Sequence, residues 1–148
     1  MITLILVDGD SCPVPIRTLL ERIPHKRNVA VHFLANRAIP VGHGVSFELV
    51  VGTTVDERIL ADATNETLVV TRDIPLAEQL VQRNIIVLND RGREFTPDTV
   101  GELRSLRDAA EQIRAAGLES MDRRRTYGHR ETTQFANTLD RVLTRENG

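Results

Sequence analysis

The amino-acid sequence predicts an α/β fold, a three-layer α/β/α sandwich with a mostly parallel sheet. Short apolar runs alternate along the chain with longer stretches whose apolar residues recur at helical spacing. The first run is followed by Gly9 and the last by Gly92, and both glycines stand in segments typical of loops. Strands that alternate with helices in this way are typical of parallel sheets covered on both faces.

Five apolar runs are predicted to form the strands. Each is short and rich in aliphatic or β-branched residues, which favour extended structure. In chain order they are Ile2–Val7, Val29–Leu34, Phe47–Val51, Thr67–Thr71 and Ile85–Leu88. The run at 85–88 is expected to be the last strand.

Helices are predicted after these strands from apolar stripes that begin near a proline or a capping residue. The stripes are Ile16, Leu19, Leu20 and Ile23; Val55, Ile59, Leu60 and Ala63; Leu76, Ala77, Leu80 and Val81; and Val100, Leu103, Leu106, Ala110 and Ile113, ending near Gly117. A C-terminal helix is predicted at 131–145. The polar, arginine-rich segment near 118–130 is expected to be a mobile loop.

Composition indicates one soluble domain that spans residues 1–148. The net charge is −2, so no overall positive field attracts nucleic acid, and any contact with RNA requires a local basic patch. The single cysteine, Cys12, excludes an intrachain disulfide and fits a reducing, cytoplasmic location. The apolar N-terminus stops at Asp8 and is too short to span a membrane. Oligomeric state is not readable from the sequence.

An acidic cluster is the strongest functional signal. Asp8 and Asp10 follow the first predicted strand directly, and Asp73 follows the fourth. If these strands are neighbours, their carboxylates meet at the sheet edge where parallel sheets bind ligands, and Asp56 could join them. Such a group repels itself unless a cation neutralises it, and hard oxygen ligands suit Mg²⁺ or Mn²⁺. The sequence therefore predicts a metal site at Asp8, Asp10 and Asp73.

Helix capping is an alternative interpretation of three of these residues. Asp10 and Asp73 each precede a proline-containing helix start, where aspartate is a good N-cap. Asp56 stands in a first turn, where the helix dipole alone favours a negative charge. Asp8 has no helix of its own to cap, so the functional interpretation leads there. For Cys12, we expect a small packing residue rather than a nucleophile.

A second signal is a basic patch at Arg123–Arg125 with Arg130 and one aromatic residue, Tyr127. Arg124 and Tyr127 could contact a phosphate and stack on a base of RNA, although a charge run of this kind is also typical of a solvated loop. Asn36 follows the second predicted strand, so it could face the acidic pocket or belong to an ordinary turn.

Several segments together resemble one family of bacterial proteins. Residues 7–14 resemble the D-A-D-A-C-P-V opening of the YaiI/YqxD family, and residues 71–77 resemble its T-x-D-I-P-L-A segment. Residues 89–92 and 135–141 are similar to its N-P-R-G turn and its F-A-N-x-L-D-R helix. The resemblance spans nearly the whole chain in the same order.

The resemblance implies a PIN-like domain with a metal-dependent nuclease centre. Carried over by position, the metal-site carboxylates would be Asp8, Asp10, Asp56 and Asp73. Asn36 and Arg91 would be supporting polar contacts to the substrate.

This chain departs from the family pattern at four positions. Gly9 and Ser11 replace alanines, which should loosen the turn without removing ligands. Asp90 stands in place of proline, and Thr53 stands where a further aspartate is expected. The missing carboxylate at Thr53 argues against a second metal ion.

The sequence is compatible with three functions. The first is Mg²⁺- or Mn²⁺-dependent phosphodiester hydrolysis, with RNA as the expected substrate. The second is a non-catalytic module that binds RNA or a nucleotide. The third is a phosphatase in which Asp8 attacks phosphorus and Asp10 acts as acid and base. That chemistry also requires a lysine near the phosphate, and the only lysine, Lys26, is expected beyond the first helix, at the far end from the strand tips.

Overall fold

The computed structural model describes residues 1–115 and 128–148, and its side chains outside 113–127. The described chain forms one six-stranded sheet with helices on both faces, which confirms the predicted α/β/α class. The strands are β1 (Leu4–Asp8), β2 (Ala30–Ala35), β3 (Ser46–Leu49), β4 (Thr67–Val70), β5 (Ile86–Leu88) and β6 (Glu94–Phe95). The helices are α1 (Val14–Leu20), α2 (Ile23–Arg27), α3 (Val55–Asp62), α4 (Ile74–Gln82), α5 (Pro97–Ala115) and α6 (His129–Asn147).

The strand order is β3-β2-β1-β4-β5-β6, with β1 and β4 as central neighbours. The chain fills one side of β1 first and then crosses to the other side, so the direction of winding reverses between β1 and β4. Both strands run parallel, with Leu4 opposite Thr67 and Val7 opposite Val70. The carboxyl ends of β1 and β4 therefore lie side by side. This is the switch point of the topology, where such sheets bind ligands.

Two separate hydrophobic cores lie on the two faces of the sheet. Ile5 and Val7 of β1 pack in the first core with residues of α1, α2 and α6. Leu6, which points the other way as strand geometry requires, packs in the second core with α3, α4 and the start of α5. Phe135 of α6 is fully buried in the first core. Helix layers on both faces explain why the central strands are apolar along their whole length.

The sheet has one strand more than the sequence predicts. Instead of ending at 88, it continues through a turn into β6, which pairs antiparallel with β5 and places Phe95 opposite Val87. The Asn89 side chain shapes this turn, because its Oδ1 accepts hydrogen bonds from the backbone N–H groups of Arg91 and Arg93 at 3.0 and 2.8 Å. A strand of two residues is too short to show alternation in the sequence.

Two helix predictions also need correction. The first predicted helix is two helices, because Pro24 occupies the first turn of a new helix, α2, where its missing N–H leaves no bond broken. Along α5, Val100 is buried but Leu106 is 59% exposed. Only the beginning of α5 reaches the second core, so helical spacing overestimates the buried stripe.

The predicted C-terminal helix at 131–145 is α6, which begins two residues earlier and ends two residues later. Residues up to 127 of the predicted loop near 118–130 lie outside the described residues. Asn147 fixes the end of α6 to the first strand, since its Oδ1 accepts from Ile2 N at 2.6 Å and its Nδ2 donates to Ile2 O at 2.9 Å. None of the described helices combines the length and apolar character needed to cross a membrane.

The turn between β5 and β6 is packed against α6 at Gly92, which has a φ of 81°. A Cβ there would lie 2.5 Å from the backbone oxygen of Gln134. Gly44 has a similar φ of 87° but nothing within 4 Å of such a Cβ. We expect Gly44→Ala to cost about 1–2 kcal/mol of unfolding free energy through left-handed strain alone. Gly92→Ala should cost roughly 1–3 kcal/mol more, because backbone must move.

Urea denaturation of the two variants and the unmodified protein measures this difference. Equal losses in Gly44→Ala and Gly92→Ala would contradict close packing of the turn against α6.

Candidate functional site

Asp8 is a nearly buried carboxylate at the end of the central strand β1. Its exposed fraction is 7%, and the Thr71 hydroxyl donates to its Oδ2 at 3.1 Å. Burial raises the pKa of Asp8 above its ordinary value, and the charges of Asp10 and Asp73 act in the same direction. The hydrogen bond from Thr71 opposes this rise in pKa. Asp8 is therefore held in one orientation while its charge is only partly compensated.

Thr71 joins Asp8 to Asp73. Its hydroxyl donates to Asp8, and its Oγ1 accepts from the backbone N–H of Asp73 at 3.0 Å. Thr71 is 2% exposed, and its bond to Asp8 is buried whereas its bond from Asp73 N is partly buried. Sequence reasoning treated Thr71 only as the last residue of a strand, although the T-x-D segment of the family resemblance contains it. That segment was the available signal for its role.

Asp73 caps the helix that it precedes. Its Oδ1 accepts from the backbone N–H of Leu76 at 2.9 Å, which confirms the capping interpretation for this residue. Capping uses one carboxylate oxygen and leaves the side chain at the switch point beside Asp8. Asp73 therefore combines a structural role with a place in the acidic cluster.

Asp56 reaches the cluster from the first turn of α3. Thr54 caps this helix by accepting from Glu57 N at 3.1 Å, so the helix does not need Asp56 as its cap. Burial, the charge of Asp73 and a hydrogen bond shared with Asp73 raise the pKa of Asp56 to about 6. The charge of Asp8 adds to this effect. Three segments of the chain thus bring Asp8, Asp56 and Asp73 within electrostatic reach of one another.

Asp10 lies on the β2 side of the cluster, and the capping interpretation is wrong for it. Helix α1 has Pro13 as its N-cap residue, with no side-chain capping hydrogen bond. Instead, Asp10 Oδ2 accepts from the backbone N–H of Asn36 at 2.9 Å. Its Oδ1 is buried without a hydrogen-bond partner in the described structure, and Arg37 Nε is 3.8 Å away. Asn36 therefore contacts the site through its backbone, and its side chain is exposed.

These groups fit a hard divalent cation in donor chemistry but not in spacing. All are carboxylate oxygens, which Mg²⁺ and Mn²⁺ prefer, and the unbonded Oδ1 of Asp10 is an available ligand atom. As placed, no three His, Cys, Asp or Glu side chains within residues 1–112 and 128–148 are close enough to hold a metal ion. A bound cation would have to draw the carboxylates together.

A cleft of about 300 Å³ opens beside Asp8 and Asp73. Its walls also include two cationic side chains that sequence reasoning did not single out, Arg72 from the loop after β4 and Arg107 from α5. Both lie near Asp8 only because of the fold. No motif or spacing in the sequence connects position 107 with position 8.

Arg91 lies away from the cleft beside Asp8. Arg91 forms an ion pair with Glu131 of α6, at 3.5 Å between Nη1 and Oε1, and lines a groove with Gln134 and Arg141 rather than the cleft. Arg124 and Tyr127 lie outside the described residues. Burial raises the pKa of the Cys12 thiol to about 12, so it stays protonated at neutral pH and packs against the first core.

Comparison with known proteins identifies the family. The model of the family described as "Uncharacterized BCR, YaiI/YqxD family" matches residues 6–145. The chain belongs to the YaiI/YqxD family. A UPF0178 protein of Treponema denticola is 38% identical over 94% of this chain and 90% of its own length. UPF0178 proteins of Cellvibrio japonicus and Treponema pallidum are 34% and 37% identical over 96% and 91% of this chain, and over 97% and 78% of their own lengths.

Membership in the YaiI/YqxD family confirms the resemblance carried by the four sequence segments. The family description names no reaction, and no solved structure matches the chain significantly.

The raised pKa of Asp56 predicts a pH dependence of stability. An unfolded aspartate loses its proton near pH 3.8, whereas folded Asp56 keeps it to about pH 6. The folded state then binds more protons in this interval, so the free energy of unfolding should fall as the pH rises through it. In Asp56→Asn this part of the slope should disappear, a change of about 1 kcal/mol or less because solvent screens a half-buried group.

Urea denaturation in EDTA at several pH values between about 4 and 7 measures the slope. Glu66→Gln is the matched control, since Glu66 is exposed just before β4, at the opposite end of that strand. It should keep the slope of the unmodified protein. An Asp56→Asn variant with an unchanged slope would contradict the raised pKa of Asp56.

Proposed function

We propose that this protein is a Mg²⁺- or Mn²⁺-dependent hydrolase of phosphodiester bonds in RNA. The observation that supports the proposal is the convergence of Asp8, Asp56 and Asp73 from separate segments at the switch point, with raised pKa values for Asp8 and Asp56. A self-repelling carboxylate group at a ligand-binding edge costs stability, and proteins tolerate such costs chiefly at functional sites.

Each carboxylate has a distinct role in the proposal. Asp8, Asp10 and Asp73 would hold the cation, which when bound lowers the pKa of water and stabilises charge on a phosphoryl group. Thr71 keeps Asp8 in position through its 3.1 Å bond. Asp56 has a pKa of about 6, close to the working pH that suits a general base, so it would accept a proton from the attacking water.

The phosphatase alternative has less support from the geometry. A nucleophilic aspartate must reach the phosphorus atom directly, whereas the side chain of Asp8 is only 7% exposed. The lysine expected beside the phosphate is also misplaced. Lys26 lies in α2 just before β2 begins, at the opposite edge of the sheet from Asp8.

A second candidate function is a module that binds RNA or a nucleotide without cleaving it. Arg72 and Arg107 on the wall of the same cleft favour binding of an anion there. This function requires neither an ionised Asp8 nor a cation. Cleavage assays distinguish the two candidates directly.

We expect the purified protein to cleave single-stranded RNA in Mg²⁺ or Mn²⁺ and to be inactive in EDTA. Asp8→Asn should lower the rate by at least about 100-fold, the loss typical of groups that act on reacting atoms. The rate is measured by gel separation of end-labelled RNA fragments. Glu66→Gln, which also removes one carboxylate, should retain full activity.

Equal cleavage by Asp8→Asn and the unmodified protein would trace the activity to a contaminant and reject the proposal. RNA binding without cleavage in either metal would leave the second candidate as the function.

A further inference from the structure

The cleft beside Asp8 presents opposite charges on its walls. Asp8 and Asp73 supply the negative side, and Arg72 and Arg107 supply the positive side. Ser11, Ile74 and Pro75 complete the lining. A phosphodiester entering the cleft would be repelled by the carboxylates, so it requires attraction from another direction.

Arg72 is held at the cleft by a buried partner. Its Nε donates to Asp90 Oδ2 at 2.6 Å, and Asp90 is only 4% exposed whereas the Arg72 side chain is 49% exposed. The bond engages one of the five N–H donors of the guanidinium. Asp90 therefore holds Arg72 at Nε, while the rest of the Arg72 guanidinium is open to solvent. This is the position where the family pattern has proline and this chain has Asp90.

Arg107 reaches the cleft because α5 runs antiparallel to α4. Arg104 Nη1 lies 3.0 and 3.1 Å from the two carboxylate oxygens of Glu78, which joins the two helices. One turn further along α5, Arg107 then overhangs the start of α4, near Pro75. Its ion pair with Glu111, at 3.3 Å, is exposed and therefore weak, so a stronger anionic ligand can replace it.

We propose that Arg72 and Arg107 bind the phosphate groups of a single-stranded nucleic acid in this cleft, and that Asp90 is a positioning residue for Arg72. Guanidinium groups bind phosphate oxygens through paired, charge-assisted hydrogen bonds. The two arginines would hold the backbone against the acidic cluster. The expected substrate class rests on the proposed function, but this binding does not require a cation or cleavage.

Fluorescence anisotropy with labelled single-stranded RNA and DNA of the same sequence, in EDTA, tests the inference without cleavage. Arg107→Gln should weaken binding about tenfold or more. It should also make the negative slope of log K against log salt shallower by about 0.7 between roughly 50 and 200 mM salt. Arg72→Gln should do the same. Arg22→Gln, which removes an exposed arginine from the α1–α2 surface, should change the affinity little.

Arg72→Gln leaves Asp90 without its ion pair with Arg72 and can lower stability, so Arg107→Gln, at an exposed helical position, carries the test if Arg72→Gln fails to fold. Asp90→Asn should weaken binding while leaving the salt slope nearer to that of the unmodified protein, because Arg72 keeps its charge. Tighter binding of RNA than of DNA would identify RNA as the ligand, and the reverse order would identify DNA.

No binding by the unmodified protein at low salt, or equal binding by Arg107→Gln and Arg22→Gln, would overturn the inference. Arginine-dependent binding without cleavage would support the inference and reject the hydrolase proposal. RNA cleavage that is unchanged in Arg72→Gln and in Arg107→Gln would support the hydrolase proposal and reject the inference.

Discussion

The parallel pairing of β1 with β4 is the constraint on which the candidate site depends. This register places the end of β1 beside Thr71, so that the Thr71 hydroxyl reaches Asp8 at 3.1 Å while accepting from Asp73 N at 3.0 Å. Two segments more than 60 positions apart in sequence thereby share one hydrogen-bonded unit. Helix layers on both faces keep that edge of the sheet fixed. The acidic cluster is thus a product of topology, with its parts carried on rigid elements rather than on a long loop.

Charge compensation around the cluster is incomplete. Arg37 approaches Asp10 only to 3.8 Å with 71% of its side chain exposed, and Arg72 is bonded to Asp90. An exposed ion pair such as that of Arg37 with Asp10 contributes little stabilisation. Arg72, already paired with Asp90, does little to offset the negative charge of Asp8. Burial first, and the neighbouring carboxylates after it, raise the pKa of Asp8 and of Asp56, and these arginines do not reverse the rise. The repulsion among these carboxylates therefore lowers the stability of the fold, and neutral side chains at the same positions would remove it.

Periodic patterns predicted most of the fold, because the central strands are buried on both faces and the helices begin at recognisable caps. They did not predict β6, since two residues show no period, nor the exposure of Leu106, since spacing does not reveal where the covering element ends. The carboxylates at the strand ends were predictable because the apolar runs that identify the strands also show where each strand ends. Thr71, Arg72 and Arg107 were not singled out, because their roles come from neighbours across the sheet and between helices.

Three species can relieve the repulsion between these carboxylates: a proton, a cation or an arginine. A proton serves only below the raised pKa, and with a value of about 6 Asp56 is largely ionised at neutral pH. The nearest arginines are exposed or already paired, so they neutralise the group only in part. In the proposed function a divalent cation relieves the repulsion at neutral pH, and it would also present a local positive charge to an incoming phosphate. Affinity for a cation and affinity for a phosphodiester would then have the same electrostatic origin.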